Sequence, residues 1–201
     1  YFPPWTTLPA MTAYPTTRDH EANLGDEAAV LTQLRSALDD AVRGDDFWEG
    51  YLASLREGVG SPRVVHVAVC VEPYLQDMLD GRKGMESRFS ARKIAPYRRV
   101  QAGDVLLLKR SSGPIVGLCC VRDAMFYELS PGSFAFIRAE YVEVLCAHDS
   151  AFWEHRRSAS YATLLSINHV KSVERITFPK RDRRGWVVLP LCLSLPSAIE
   201  T

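Results

Sequence analysis

Between Asp80 and Ser90 the chain reads DGRKGMESRFS, which brings Arg82, Lys83, Glu86 and Arg88 close together. On a strand, Glu86 and Arg88 share a face, because side chains alternate with period two. A carboxylate beside a guanidinium forms a stable pair and leaves other donors free for an anion or a base edge. Lys83, at the entrance of that strand, adds a second cation, and a lysine buried there is a candidate base. On composition alone the same string also suits a solvated hairpin whose surface ion pair contributes little.

The following stretch, SRFSARKIAPYRRV from Ser87 to Val100, interleaves Arg88, Arg92, Lys93, Arg98 and Arg99 with Phe89 and Tyr97. Cations neutralise phosphates, and aromatic faces stack bases without needing a sequence code. Together with Lys109 and Arg110 such a segment can line a positive cleft. The competing picture is a loop whose arginines stay in water while Tyr97 packs inward. A third basic stretch runs from Phe178 to Trp186, with Lys180, Arg181, Arg183 and Arg184 against Asp182 alone. It reads equally as a contact to backbone phosphate or as a hairpin tip whose charges discourage edge pairing.

Other reactive residue types carry less. His20, His66, His148, His155 and His169 show no metal-ligand spacing, and His66 in an apolar run is expected to be a hydrogen-bonded core residue. Cys70, Cys119, Cys120, Cys146 and Cys192 lack any C-x-x-C spacing and sit among apolar residues. They read as reduced core thiols, so neither zinc, nor any other cofactor, nor a disulfide scaffold is expected. Ser111-Ser112-Gly113 reads as a turn. Glu140 and Glu143 share a helical face, which is usually surface charge.

The elements that must position these residues follow from periodicity. The first 20 or so residues, rich in Pro and Thr, read as an extended arm that could dock through Phe2 and Trp5. Val30, Leu31, Leu34, Leu38, Ala41 and Val42 then recur at steps of three and four, predicting a helix started by Asp26 and ended by Gly44. Phe47, Tyr51, Leu52 and Leu55 predict a second helix, ending near Gly58 and Gly60. This pair is expected to pack on the remainder or to meet a protein partner. After Ser61 the pattern turns mainly β. Strands are expected in RVVHVAVCV, GMESRFS, QAGDVLLLKR, IVGLCCVRDAMFYEL, YATLLSINHVKSVERITF and GWVVLPLCL. Short helices are expected from Tyr74 to Asp80, around Phe134 to Cys146 and around Phe152 to Arg157. Inserted helices between short strands predict an α+β fold, a small mixed β-barrel with a helical extension over residues 1–61 and the barrel over 62–201.

Composition sets the outer bounds. The 201 residues are 47% hydrophobic, which suffices for a real core. No run approaches the roughly 18 apolar residues of a membrane span. The opening YFPPWTTLPA lacks the basic and apolar regions of a signal peptide. The reduced cysteines make the cytoplasm the expected compartment. The 24 basic and 24 acidic residues balance, but unevenly along the chain. The first 61 residues hold 4 basic and 10 acidic side chains, and the remainder holds 20 and 14. The basic part is the one suited to a polyanion.

The Asp80–Ser90 string resembles the signature of the ASCH domain, a branch of the PUA-like superfamily. That signature is a short helix ending in G-x-K-T, a strand E-x-R, and then G-D-x-[LVI]. Here the matching residues are Gly81, Lys83, Glu86, Arg88 and Gly103-Asp104-Val105, and Gly113, Gly117 and Val121 resemble the second hairpin of the family. The likeness spans about Val64 to Leu189. The family's threonine after the lysine is Gly84 here. The resemblance implies a barrel that binds RNA or a nucleotide-like ligand beside the short helix. Lys83, Arg88, Lys93 and Lys109 would supply cations, Glu86 would orient Arg88 or accept from a base amino group, and Tyr97 would offer a stacking face. The rival is an enzyme, a ribonuclease or an amidohydrolase-like hydrolase of a modified nucleoside, using Lys83 and Glu86 as an acid–base pair.

Overall fold

The computed structural model describes residues 17–57, 63–179 and 184–189, with side chains from residue 28 onward. The arm with Phe2 and Trp5, the pair Gly58 and Gly60, the basic residues Lys180 to Arg183, and Cys192 lie outside the described residues. The element order is α1 (Thr17–Val42), α2 (Asp46–Glu57), β1 (Val65–Cys70), α3 (Tyr74–Leu79), β2 (Met85–Ser90), β3 (Val105–Arg110), β4 (Ile115–Glu128), α4 (Pro131–Tyr141), α5 (Ser150–Glu154), β5 (Tyr161–Ile176) and β6 (Trp186–Leu189).

The six described strands form one sheet in the order β2-β5-β4-β3-β1-β6, curled into a half-barrel. β1 runs parallel to β3, with Val65 opposite Val105, and every other pairing is antiparallel. The expected α+β architecture is therefore present. The continuous apolar runs of β1 and β3 follow from burial on both faces. Val65, Val67, Val105 and Leu107 face α1 and α2, while Ala68, Cys70, Leu106 and Leu108 face the barrel interior with Leu75 and Met78 of α3. A third cluster joins Met85, Leu164 and Ala162 to Ile137 of α4 and to Phe152 and Trp153 of α5.

The helical extension packs on the sheet through Leu34, Leu38, Val42, Trp48 and Leu52. The apolar face of α1 that could have taken a partner's helix is thereby occupied. Its start differs from expectation: α1 begins at Thr17, so Asp26 lies inside the helix. Good helix formers precede Gly25, and one interior glycine costs only about 1 kcal/mol. The expected Phe134–Cys146 helix starts earlier and ends earlier. Ser130 accepts from the Ser133 backbone in a capping box, and Pro131 fits the first turn. Past Tyr141 the chain turns, with Cys146 at φ 52°. The last short helix likewise begins at Ser150, capped by the Asp149 side chain accepting from the Ala151 N–H.

β2 and β6 are the two outer edges of the sheet. β6 pairs with β1 from Val65 to Ala68, and beyond it the Val69 N–H donates to the Gly185 carbonyl. At β4, Gly117 lets α3 lie close: a Cβ there would stand 2.5 Å from Leu79 Cδ2. α3 is thus seated over the barrel, with its C-terminal end leading into β2. No described helix is long and apolar enough to cross a membrane.

Candidate functional site

The chain leaves α3 through Gly81, whose φ of +73° few other residues adopt at low cost. The Gly81 N–H donates to the Met78 carbonyl and the Lys83 N–H to the Asp77 carbonyl. This turn directs the Lys83 side chain inward, where it is only 2% exposed. Its ammonium donates to the Met85 carbonyl at 2.6 Å and to Glu86 Oε2 at 2.7 Å. The other Glu86 oxygen, Oε1, meets Arg88 Nε at 2.8 Å. Lys83, Glu86 and Arg88 thus converge, with one carboxylate between two cations.

Glu86 is 6% exposed. Burial alone would raise its pKa, but Lys83 and Arg88 outweigh it and hold the carboxyl below its ordinary range. The same pairing works on Arg88: burial disfavours its charge, and Glu86 overcomes that and raises its pKa. Cys70 Sγ lies beside this group and accepts from Arg88 Nη2 at 3.7 Å. Burial, reinforced by Glu86, pushes its thiol up to about 12, so it stays a neutral core thiol.

Arg88 spans the open edge. Its Nη1 donates to the Gly185 carbonyl at 3.2 Å and its Nη2 to the Val69 carbonyl at 3.0 Å. The guanidinium carbon lies 5.3 Å from the centre of the Trp186 ring. That ring is fixed in turn, since the Trp186 indole N–H donates to His66 Nδ1 at 3.1 Å. An Nδ1 that accepts carries no hydrogen, so His66 Nε2 is the donor to Asp104 Oδ2 at 3.0 Å. Asp104 also accepts from the backbone N–H groups of Val64 and Gln101. His66 is the hydrogen-bonded core residue that its apolar strand predicted. A buried series therefore runs from the Gly103-Asp104 turn through His66 and Trp186 to Arg88.

Around this group opens a cleft of about 490 Å³, lined by Lys83, Glu86, Arg88, Tyr74, Phe89 and Phe152, with His155 and Arg156 beyond α5. Arg156 stands 3.6 Å from the centre of the Phe152 ring and donates to the Phe152 carbonyl at 2.7 Å. Three cations thus face one carboxylate across partly aromatic walls. Sequence reasoning missed Tyr74, Phe152, His155 and Arg156. The available signal was Arg156 and Arg157 at the end of a predicted helix, but nothing in the sequence brings that helix beside β2.

Three expected site residues do not line the cleft. Lys93 is exposed, pairs with Glu128 at 2.9 Å and lies 5.3 Å from the Tyr161 ring centre. Tyr97 is 6% exposed, meets Phe126 and Tyr161 edge to face, and offers no open ring for stacking. Lys109 is buried at the β3–β4 turn, where its ammonium donates to the Gly113 carbonyl. Interleaved cations and aromatics show composition but not direction, and the loop folds Tyr97 onto the sheet. Gly84, where the ASCH pattern has threonine, sits against α4's exit: a Cβ there would lie 3.2 Å from Val144 Cγ2. Among the described residues no cluster of three or more His, Cys, Asp or Glu side chains forms.

A curled six-stranded half-barrel sheet with few short helices is a fold of the PUA-like class. Within that class, this chain has the ASCH-domain fold. A serine-to-alanine variant of the ASCH protein from Zymomonas mobilis superposes with a TM-score of 0.53 at 10% identity, covering 65% of this chain and 92% of that chain. A tyrosine-to-phenylalanine variant of the same protein gives 0.51 at 9% identity, covering 65% and 94%. No protein-family model and no curated protein sequence matches the chain.

Proposed function

We propose that this chain binds RNA or a nucleotide-like ligand in the cleft beside α3. The observation that carries the reading is the charge of the walls: among the described residues, Lys83, Arg88 and Arg156 stand against Glu86 alone, with Tyr74 and Phe89 beside them. A cavity of that size is typical of small-molecule sites, and its excess of cations suits a phosphate. The half-buried Tyr74 and Phe89 rings suit a base, whose face stacks on aromatic surface. Each Glu86 oxygen keeps a lone pair for a base amino group after meeting its cation. Arg88 acts mainly through its charge, since its hydrogen bonds hold β1 and β6. The free state of the four described cysteines suits a reducing compartment such as the cytoplasm.

The enzyme reading needs a carboxyl that titrates near neutrality. Lys83 and Arg88 move Glu86 in the opposite direction, which favours binding over acid–base chemistry. The test is an equilibrium titration of labelled single-stranded RNA against wild type, Lys83→Ala and Arg156→Ala. Both variants are expected to bind at least about fivefold more weakly and with a shallower salt dependence. Unchanged affinity and slope in both would remove the cleft from the account. Incubation with short RNA and with acetylated cytidine, with Glu86→Gln as control, addresses turnover. Product formed by wild type and lost in the variant would establish the enzyme.

A further inference from the structure

Resting on that reading of the cleft, we infer that the site continues past Arg88 into a second subsite. Its ligand is then a single strand of at least two nucleotides threaded along the open edge of the barrel, not a free mononucleotide. A second cavity of about 200 Å³ begins where the first ends, and Arg88 and Phe89 line both. The two spaces are one groove, divided by a guanidinium. β2 and β6 are the outer strands of the sheet and do not pair with each other, so the groove follows the gap between them.

The chemistry changes across the divide. Arg88 stands at the middle, anchored to Val69 and Gly185 on one side and to Glu86 on another. A fixed cation between two pockets is suited to a phosphodiester joining two nucleosides, because that linkage carries the charge and the bases lie to either side. Among the described residues, no carboxylate lines the second pocket. Its walls include Pro96, Trp186 and Ile94, with the hydroxyl-bearing Ser90 and Thr163. Ile94 is 59% exposed at the wall of this pocket. Its backbone is fixed, the Ile94 N–H donating to the Arg92 carbonyl and the Tyr97 N–H to the Ile94 carbonyl. With the half-buried Phe89 ring it forms an apolar wall beside a cation, which suits the face of a base.

A third cavity, of about 500 Å³, opens between α4 and α5 near Arg138. It shares no lining residue with the cleft, so the strand's course runs toward Ile94 and not toward α4.

Affinities of the full chain for adenosine 5′-monophosphate and for the dinucleotide pApA decide the matter, with Ile94→Glu, Arg156→Ala and Arg138→Ala as variants. Wild type is expected to bind pApA roughly tenfold more tightly than the mononucleotide, the gain of one more stacked base. Ile94→Glu should bring that ratio to about one. Arg156→Ala should weaken both probes, and Arg138→Ala should match wild type. Equal affinity of wild type for the two probes, or a full dinucleotide gain in Ile94→Glu, overturns the second subsite and leaves the first. Binding that Arg156→Ala does not change for either probe overturns the cleft itself.

Discussion

The Arg88 guanidinium, on one outer strand of the sheet, donates at 3.2 Å to the Gly185 carbonyl that leads into the other. Gly185 is already paired on that side, its carbonyl accepting from the Val69 N–H at 3.0 Å. The two edges of the half-barrel are therefore tied by a side chain where no ladder joins them. This tie also fixes the charge at the centre of the proposed groove, so the stability and function of the site meet in one residue.

Replacing Arg88 with lysine keeps the charge and loses the fork that reaches two carbonyls at once. Arg88→Lys is expected to cost up to about 3–6 kcal/mol, the worth of two hydrogen bonds to a charged donor. Urea unfolding measures it. Hydrogen exchange at the β6 amides should accelerate in the same variant. Wild-type stability in Arg88→Lys would show that the edges hold without the tie.

Glu86 neutralises two cations in a space that water scarcely reaches. Glu86→Gln leaves Lys83 buried without its ion partner and is expected to destabilise by about 3–5 kcal/mol. Adding Lys83→Met should recover much of that loss, because the double variant buries no charge at that point. Failure of the second change to recover stability would place the cost elsewhere than in the unpaired ammonium.

The same carboxylate sets a pH dependence. Its folded pKa is lowered from 4.5, so the folded state binds fewer protons than the unfolded chain in that range. The stability it contributes is complete above about pH 4.5 and is lost as pH falls through the folded value. The stability gap between wild type and Glu86→Gln should therefore be constant near neutrality and narrow below about pH 4.5. A gap that stayed the same down to pH 3 would contradict the lowered pKa.

Trp186 holds the Arg88 face and is itself held by His66 and Asp104. Trp186→Phe keeps the ring and removes the indole N–H, leaving His66 Nδ1 without its donor at a cost of about 1–3 kcal/mol. Differential scanning calorimetry should show a lowered Tm, and RNA affinity should fall because Arg88 loses its anchor. Full affinity at a lowered Tm would confine Trp186 to stability.

Much of this arrangement was legible from local pattern. The β-branched run RVVHVAVCV and the apolar run after the Gly103-Asp104 turn announced buried strands. The Gly81–Arg88 string announced the lysine, glutamate and arginine that meet in the cleft. Tyr97 and Arg156 were not legible, for one reason: both depend on how distant elements approach. Tyr97 faces inward because Phe126 and Tyr161 receive it, and Arg156 joins the cleft because α5 docks beside β2. Periodicity reports the face of an element, not the neighbour that face will meet. The helix starts at Pro131 and Ser150 were readable in principle from Ser130 and Asp149, whose side chains cap them.

The most direct measurement is photocrosslinking of a short RNA carrying 4-thiouridine, with the modified peptides located by mass spectrometry. Adducts are expected at Tyr74 or Phe89, and they should fade in Arg156→Ala. Adducts confined to residues of α1, α2 or α4, unaffected by that variant, would contradict the account.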